Sequence, residues 1–292
     1  AQHFARRYPD VTRSVVIDGV VPPQISLGPE IATISQAAVD NILARCAQDE
    51  ACNAAFPDVA ATFARVVAEL REAPVEVAVT HPNTGRMETL GFGIGQFAGA
   101  VRLLVYNANT IALLPLLVHE AGQGNFAPLA SQFMLTAISM RDALAIGMHN
   151  SVMCAEDVPF IDHASVDRER IAASYMGAFQ LDTLEAMCEI WPVGPIDPGF
   201  KLPVDSDIPF LLLSGDADPI TPPRYAELAA VDLALATHLV GEDQGHGQIT
   251  VGCMGRIVAD FVDSLDPTSL DTACMERSFV TPFFLDFSGP AP

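Results

Sequence analysis

Residues 208–223, reading IPFLLLSGDADPITPP, restrict the fold more than any other part of the sequence. Residues 209–213 are a continuous apolar run without polar alternation, which suits a central parallel strand buried on both faces. A turn rich in Gly, Asp and Pro follows at once, and Pro222 and Pro223 stand where a helix takes its first turn. Residues 224–235 read as that helix and 237–240 as a second strand. Residues 253–265 read as a closing helix with Ile257, Val258, Phe261, Val262 and Leu265 on one face. Such an order predicts an α/β layer built on a parallel sheet.

The same character shows briefly at the start. Ala1, Phe4, Ala5 and Tyr8 repeat at helical spacing until Pro9-Asp10, and this uncapped helix reads as cut rather than started. Residues 15–17 read as a short buried strand ending at Asp18-Gly19, after which Pro22-Pro23 turn the chain away. Between about 24 and 203 the pattern changes. Apolar residues recur at three and four along 34–43, 63–70, 97–104, 111–118, 133–144 and 171–187, which predicts helices. Residues 75–80 and 87–92 flank a Pro-Asn-Thr-Gly turn and predict a hairpin. Three parts follow: 1–23 and 204–292 as two portions of one α/β core, and 24–203 as a large, mainly helical insertion.

Composition narrows the partners. Half of the 292 residues are hydrophobic, so the chain can bury a sizeable core, yet the apolar run 111–118 is too short to span a bilayer. A net charge of −21 disfavours nucleic acid and anionic lipid. Cys46, Cys52, Cys154, Cys188, Cys253 and Cys274 allow 15 complete pairings, among which sequence alone does not choose. Zinc is the rival for these thiols, but no C-x-x-C or His-rich spacing supports it.

Two turns carry the chemistry. Asp218 sits just beyond the carboxyl end of the 209–213 strand, where open α/β sheets place functional groups, with Asp216 as its competitor. His246 lies between Gly245 and Gly247 after the next strand. Acid before base, each after a buried strand, is the second half of the Ser…Asp…His order of α/β-hydrolases. In that chemistry the imidazole accepts the serine proton and the carboxylate fixes the tautomer. No G-x-S-x-G occurs anywhere in the sequence, so the nucleophile is missing from it. His119, His149 and His163 lack partners at ligand spacing, Asp162, His163 and Asp167 are a weak metal alternative, and Trp191 is expected to pack the insertion onto the sheet.

The chain resembles the carboxyl-terminal part of secreted α/β-hydrolases of the tripeptidyl/prolyl aminopeptidase-like serine peptidase family. The resemblance rests on AQHFARRYPDVTRSVVIDGVVPP, RCAQDEAC, SVMCAEDVP, CEIWPVGP, LLLSGDADPITPP, GHG and the trailing Cys253…Cys274. It implies an incomplete α/β-hydrolase sheet with a helical cap, beginning a few residues after the nucleophile elbow, with Asp218 as acid and His246 as base. It implies disulfides Cys46–Cys52, Cys154–Cys188 and Cys253–Cys274, and hence an extracellular or periplasmic (bacterial) location. Glu156 and Asp157 stand where cap acids of such aminopeptidases hold a substrate's amino group. The expected activity is release of short units from peptide amino termini through an acyl-enzyme, with no cofactor or metal. The expected partners are a peptide with a free amino terminus and the missing amino-terminal half of the same protein. An esterase and a non-catalytic pseudoenzyme that kept the shell are the alternatives. Expressed alone, such a fragment is expected to aggregate through the open edge of its first strand.

Overall fold

A computed structural model describes residues 1–277 and 280–290. The first strand, β1 (Val15–Asp18), pairs in parallel with β4 (Phe210–Gly215), which pairs in parallel with β5 (Ala236–Gly241). Strands β2 (Val75–Thr80) and β3 (Met87–Phe92) form a separate antiparallel hairpin. The strands β6 (Phe284–Asp286) and β7 (Gly289–Pro290) form a second small antiparallel pair, which the sequence pattern did not announce.

Strand β4 is buried at every position because both of its faces are covered. Phe210 and Leu212 pack with Val15, Ala5 of the helix Gln2–Arg7, and Ala226 and Ala229 of the helix Pro223–Ala230. Leu211 and Leu213 point the other way, against Leu239 and against Ile257 and Phe261 of the helix Met254–Ser264. The period of two along an apolar run thus feeds two cores, one on each side of the sheet.

The chain divides into two compact units. Described residues of Ala1–Ile34, Asn150–Val166 and Leu181–Val280 make the first, which holds the parallel sheet. Those of Ser35–His149, Asp167–Gln180 and Thr281–Pro292 make the second. Residues 24–34, 150–166 and 181–203, expected within the helical insertion, lie in the first unit. The segment from Thr281, expected with the sheet, lies in the second, where Phe284 N–H donates to Ala112 O at 3.0 Å.

The second unit is helical around one core in which Val66, Phe97, Leu114 and Leu129 are fully buried. Its hairpin has the predicted strand limits, closed by His81 N–H to Arg86 O at 2.8 Å. Two predicted helices are broken instead. The 111–118 run splits into Ala108–Ile111 and Leu114–Gly122, because Pro115 is tolerated only in a first turn. The 171–187 run splits into Arg168–Ala173 and Phe179–Ile190. Tyr175, in the break, is fully buried, with its hydroxyl 3.1 Å from Ser35 Oγ in the second unit. Periodicity alone does not register a chain reversal that buries a tyrosine.

Among the described residues, no helix is long and apolar enough to cross a membrane.

Candidate active site

Strand register brings three loops to one edge of the sheet. Asp18 pairs with Leu213, and Gly215 with Gly241, so β1, β4 and β5 release their chains side by side at their carboxyl ends. Residues 18–19, 216–221 and 242–249 therefore meet there, as open parallel sheets require.

Asp218 is 3% exposed. Its Oδ1 accepts the backbone N–H groups of Ile220 at 2.8 Å and Thr221 at 2.9 Å. Its Oδ2 accepts the Thr221 hydroxyl at 2.7 Å and His246 Nδ1–H at 2.8 Å. The local sequence explains this: an Asp followed by a stiff Pro-Ile-Thr-Pro loop folds its own backbone donors back onto its carboxylate. Four donors on two oxygens satisfy the buried group and leave one carboxylate edge aimed at the imidazole. The competitor Asp216 is exposed, and its backbone N–H donates to Gly241 O at 3.1 Å.

His246 presents a side chain 33% exposed, so the ring reaches both the buried carboxylate and the surface. The Asp218 hydrogen bond raises its pKa above the ordinary imidazole value, partial burial opposes this, and the Asp218 and Asp18 charges add to the rise. Thr221 Oγ1 lies 3.1 Å from the same Nδ1, so this threonine touches both members of the pair. The sequence reading passed over Thr221; its signal is a hydroxyl three residues after the acid.

Two glycines make the approach possible. Gly19, at φ +71°, lies under the His246 ring, and a Cβ there would stand 2.5 Å from Cε1 and 3.1 Å from Nδ1. Gly215 ends β4 directly beneath the carbonyls of Gln244 and Gly245, leaving no room for a side chain. Asp18 holds the histidine loop from the other side. Its carboxylate accepts Gln248 N–H at 2.7–2.8 Å and Ile249 N–H at 2.8 Å. The sequence reading treated Asp18-Gly19 only as a turn.

Glu156 and Asp157 lie in the same compact unit, on a single π-helical turn, Met153–Asp157. Asp157 is buried, and its Oδ1 accepts Leu27 N–H at 2.9 Å and Lys201 Nζ at 3.0 Å. Lys201 is the only lysine in the sequence. It also donates to Ile25 O at 2.9 Å and lies over the rings of Phe160 and Phe200. The Asp157 charge is therefore met within the protein. Glu156 is half-buried, and burial, followed by the Asp157 charge, pushes its carboxyl above the usual value.

All three cysteine pairs implied by the resemblance are disulfides: Cys46–Cys52, Cys154–Cys188 and Cys253–Cys274. The Cys154–Cys188 bond ties the π-helical turn to the helix Phe179–Ile190. Of the remaining residues singled out in the sequence, His119 packs on Phe56, and His163 lies 3.5 Å from Glu185. His149 is exposed. Asp162 accepts Ala164 N–H, Asp167 caps the helix Arg168–Ala173, and Trp191 Nε1–H donates to Ser151 Oγ. Among the described residues, no group of three or more His, Cys, Asp or Glu side chains is placed to hold a metal ion.

Comparison with known proteins gives one family. The model of the TAP-like proteins, an α/β-hydrolase family, matches residues 173–274, a stretch containing Asp218 and His246. No curated protein matches the chain. Over residues 173–274 the chain is similar to TAP-like α/β-hydrolases, and its covered parallel sheet is in keeping with that similarity.

Proposed function

We propose that this chain supplies the acid and the base of an exported serine exopeptidase that releases short units from peptides with free amino termini. The observation that carries the reading is the 2.8 Å hydrogen bond from His246 Nδ1 to buried Asp218 at the carboxyl edge of the sheet. With its Nδ1 proton given to Asp218, a neutral ring offers Nε2 as a proton acceptor, which is what a serine hydroxyl needs. The serine itself lies outside this sequence in this reading, since the sequence contains no G-x-S-x-G.

The serine oxygen attacks the scissile carbonyl while its proton passes to Nε2. The imidazolium, steadied by Asp218, returns that proton to the leaving amine as the C–N bond breaks. Water then attacks the acyl-enzyme, giving one proton to His246 and regenerating the serine as the acid leaves. Glu156 is the better of the two acids for binding a substrate ammonium. It is half-buried and feels the Lys201 charge only at a distance, whereas Asp157 is in direct contact with Lys201 at 3.0 Å. An ammonium set against a partly desolvated carboxylate orients the peptide as well as binding it. Three disulfides support an exported location.

The test is hydrolysis of matched chromogenic peptides, amino-free and amino-blocked, by the protein expressed with whatever precedes residue 1 in its coding sequence. The free peptide is expected to be preferred strongly, and Glu156→Gln to raise its KM by about tenfold, the scale of one charge-assisted contact. Equal rates on both peptides sink the exopeptidase reading in favour of an esterase. A residue other than serine at the upstream nucleophile position makes the protein a non-catalytic relative.

A further inference from the structure

Beside the Asp218–His246 pair stands a second carboxylate. We propose that Asp18, together with Gly19, forms a seat that positions His246, with Asp18 clamping the backbone just after the histidine. The proposal rests on the hydrolase reading for its catalytic meaning, but its geometry does not.

Three observations converge on this end of β1. The Asp18 carboxylate accepts Gln248 N–H and Ile249 N–H, two and three residues beyond His246, at 2.7–2.8 Å. Gly19, the next residue, leaves a bare surface on which the imidazole lies. The Gly19 N–H is in turn held by Leu213 O at 3.1 Å, so the seat is part of the sheet and not a free loop. The sheet thus grips the histidine loop twice. Asp218 and Thr221, from the loop after β4, hold the ring at Nδ1. Asp18, from β1, holds the main chain that carries it.

A side chain in that place does more than cap a turn. Half-buried Asp18 is the second carboxylate whose charge favours the protonated ring, after Asp218. Both of these charged groups, one from the loop after β4 and one from β1, are acidic. An imidazolium formed in the reaction is therefore stabilised from β1 as well as from the β4 loop. Asp18 touches no reacting atom, so it is a positioning residue.

The experiment reads His246 directly, by NMR titration of ¹³C-labelled histidine in the protein expressed with its upstream coding sequence. Asp18→Asn keeps an acceptor oxygen and removes the charge. Its His246 midpoint is expected to fall by about half a unit, the scale of one carboxylate acting across a partly solvated gap. Asp18→Ala removes the acceptor as well. Hydrogen exchange of the Gln248 and Ile249 amides is then expected to quicken at least about tenfold while the amides of β4 stay protected. An unchanged midpoint in Asp18→Asn, or unchanged exchange in Asp18→Ala, overturns the proposal. If Asp18→Ala does not fold, the Asp18→Asn midpoint alone decides. Neither readout needs turnover, so an inactive protein showing both shifts would refute the hydrolase reading and leave the seat intact.

Discussion

Replacing Gly19 with alanine tests how tightly the site is built. The added Cβ would lie 2.5 Å from His246 Cε1, 3.1 Å from Nδ1 and 3.3 Å from Nε2. Carbon atoms in contact settle near 3.5–4 Å, so the ring must retreat by about 1 Å. The Nδ1–Oδ2 separation of 2.8 Å then lengthens toward the limit of a useful hydrogen bond. A misplacement of about 1 Å in a catalytic group costs roughly a hundredfold in rate. The φ of +71° adds a separate penalty of about 1–2 kcal/mol for any residue with a Cβ. Steady-state hydrolysis by Gly19→Ala should therefore show kcat down by about two orders of magnitude with KM little changed. Its melting temperature should drop by several degrees at most, reporting a folded protein. The His246 titration midpoint should fall as well, because the Asp218 bond is the first cause of its elevation. Activity within about twofold of the parent, with an unmoved midpoint, would refute a histidine seated on Gly19.

Other outcomes follow from the same geometry. Asp218→Asn should lower kcat by about 10³–10⁴-fold, since the ring loses its tautomer-fixing acceptor, as pre-steady-state hydrolysis would show. Because the base works unprotonated and its pKa is raised, the acid limb of the pH–rate profile should lie above the ordinary histidine value of about 6.5. The same elevation means that the pair's contribution to stability is full below that ordinary value and is lost as pH rises through the folded one. In denaturant melts the gap between parent and Asp218→Asn should therefore narrow as pH rises, leaving the part owed to the Ile220 and Thr221 donors. Removing Cys154–Cys188, with its sequence separation of 34, should cost about 4 kcal/mol on the loop-entropy scale. Removing Cys46–Cys52, separated by 6, should cost about 2 kcal/mol in the same melts. Lys201→Met strands buried Asp157 and should destabilise by about 3 kcal/mol, whereas Lys201→Met combined with Asp157→Leu should recover most of that loss.

Legibility in the sequence followed the range of the interactions. The strand Phe210–Gly215 was plain because burial on both faces leaves an unbroken apolar run. The hairpin Val75–Thr80 with Met87–Phe92 was plain because its turn and its alternation are local. Asp218 and His246 were expected together from strand order, which a sequence records, and their side chains meet at 2.8 Å. Thr221, Asp18 and Gly19 were missed because their contacts with His246 and its loop exist only when three loops converge at one sheet edge. The Lys201–Asp157 pair was invisible because its partners stand 44 positions apart in the sequence. Single-helix readings failed at Pro115 and near Tyr175, where a proline rule and a buried hydroxyl outrank periodicity.

The central claim is that Asp218 and His246 activate a serine. Its most direct measurement is labelling with a fluorophosphonate probe, followed by mass-spectrometric mapping of the adduct. The material is the protein expressed with its upstream coding sequence. The account predicts one adduct, on a serine outside these 292 residues, abolished in His246→Ala and strongly slowed in Asp218→Asn. No adduct on the parent protein, or an adduct formed equally fast without His246, would contradict it.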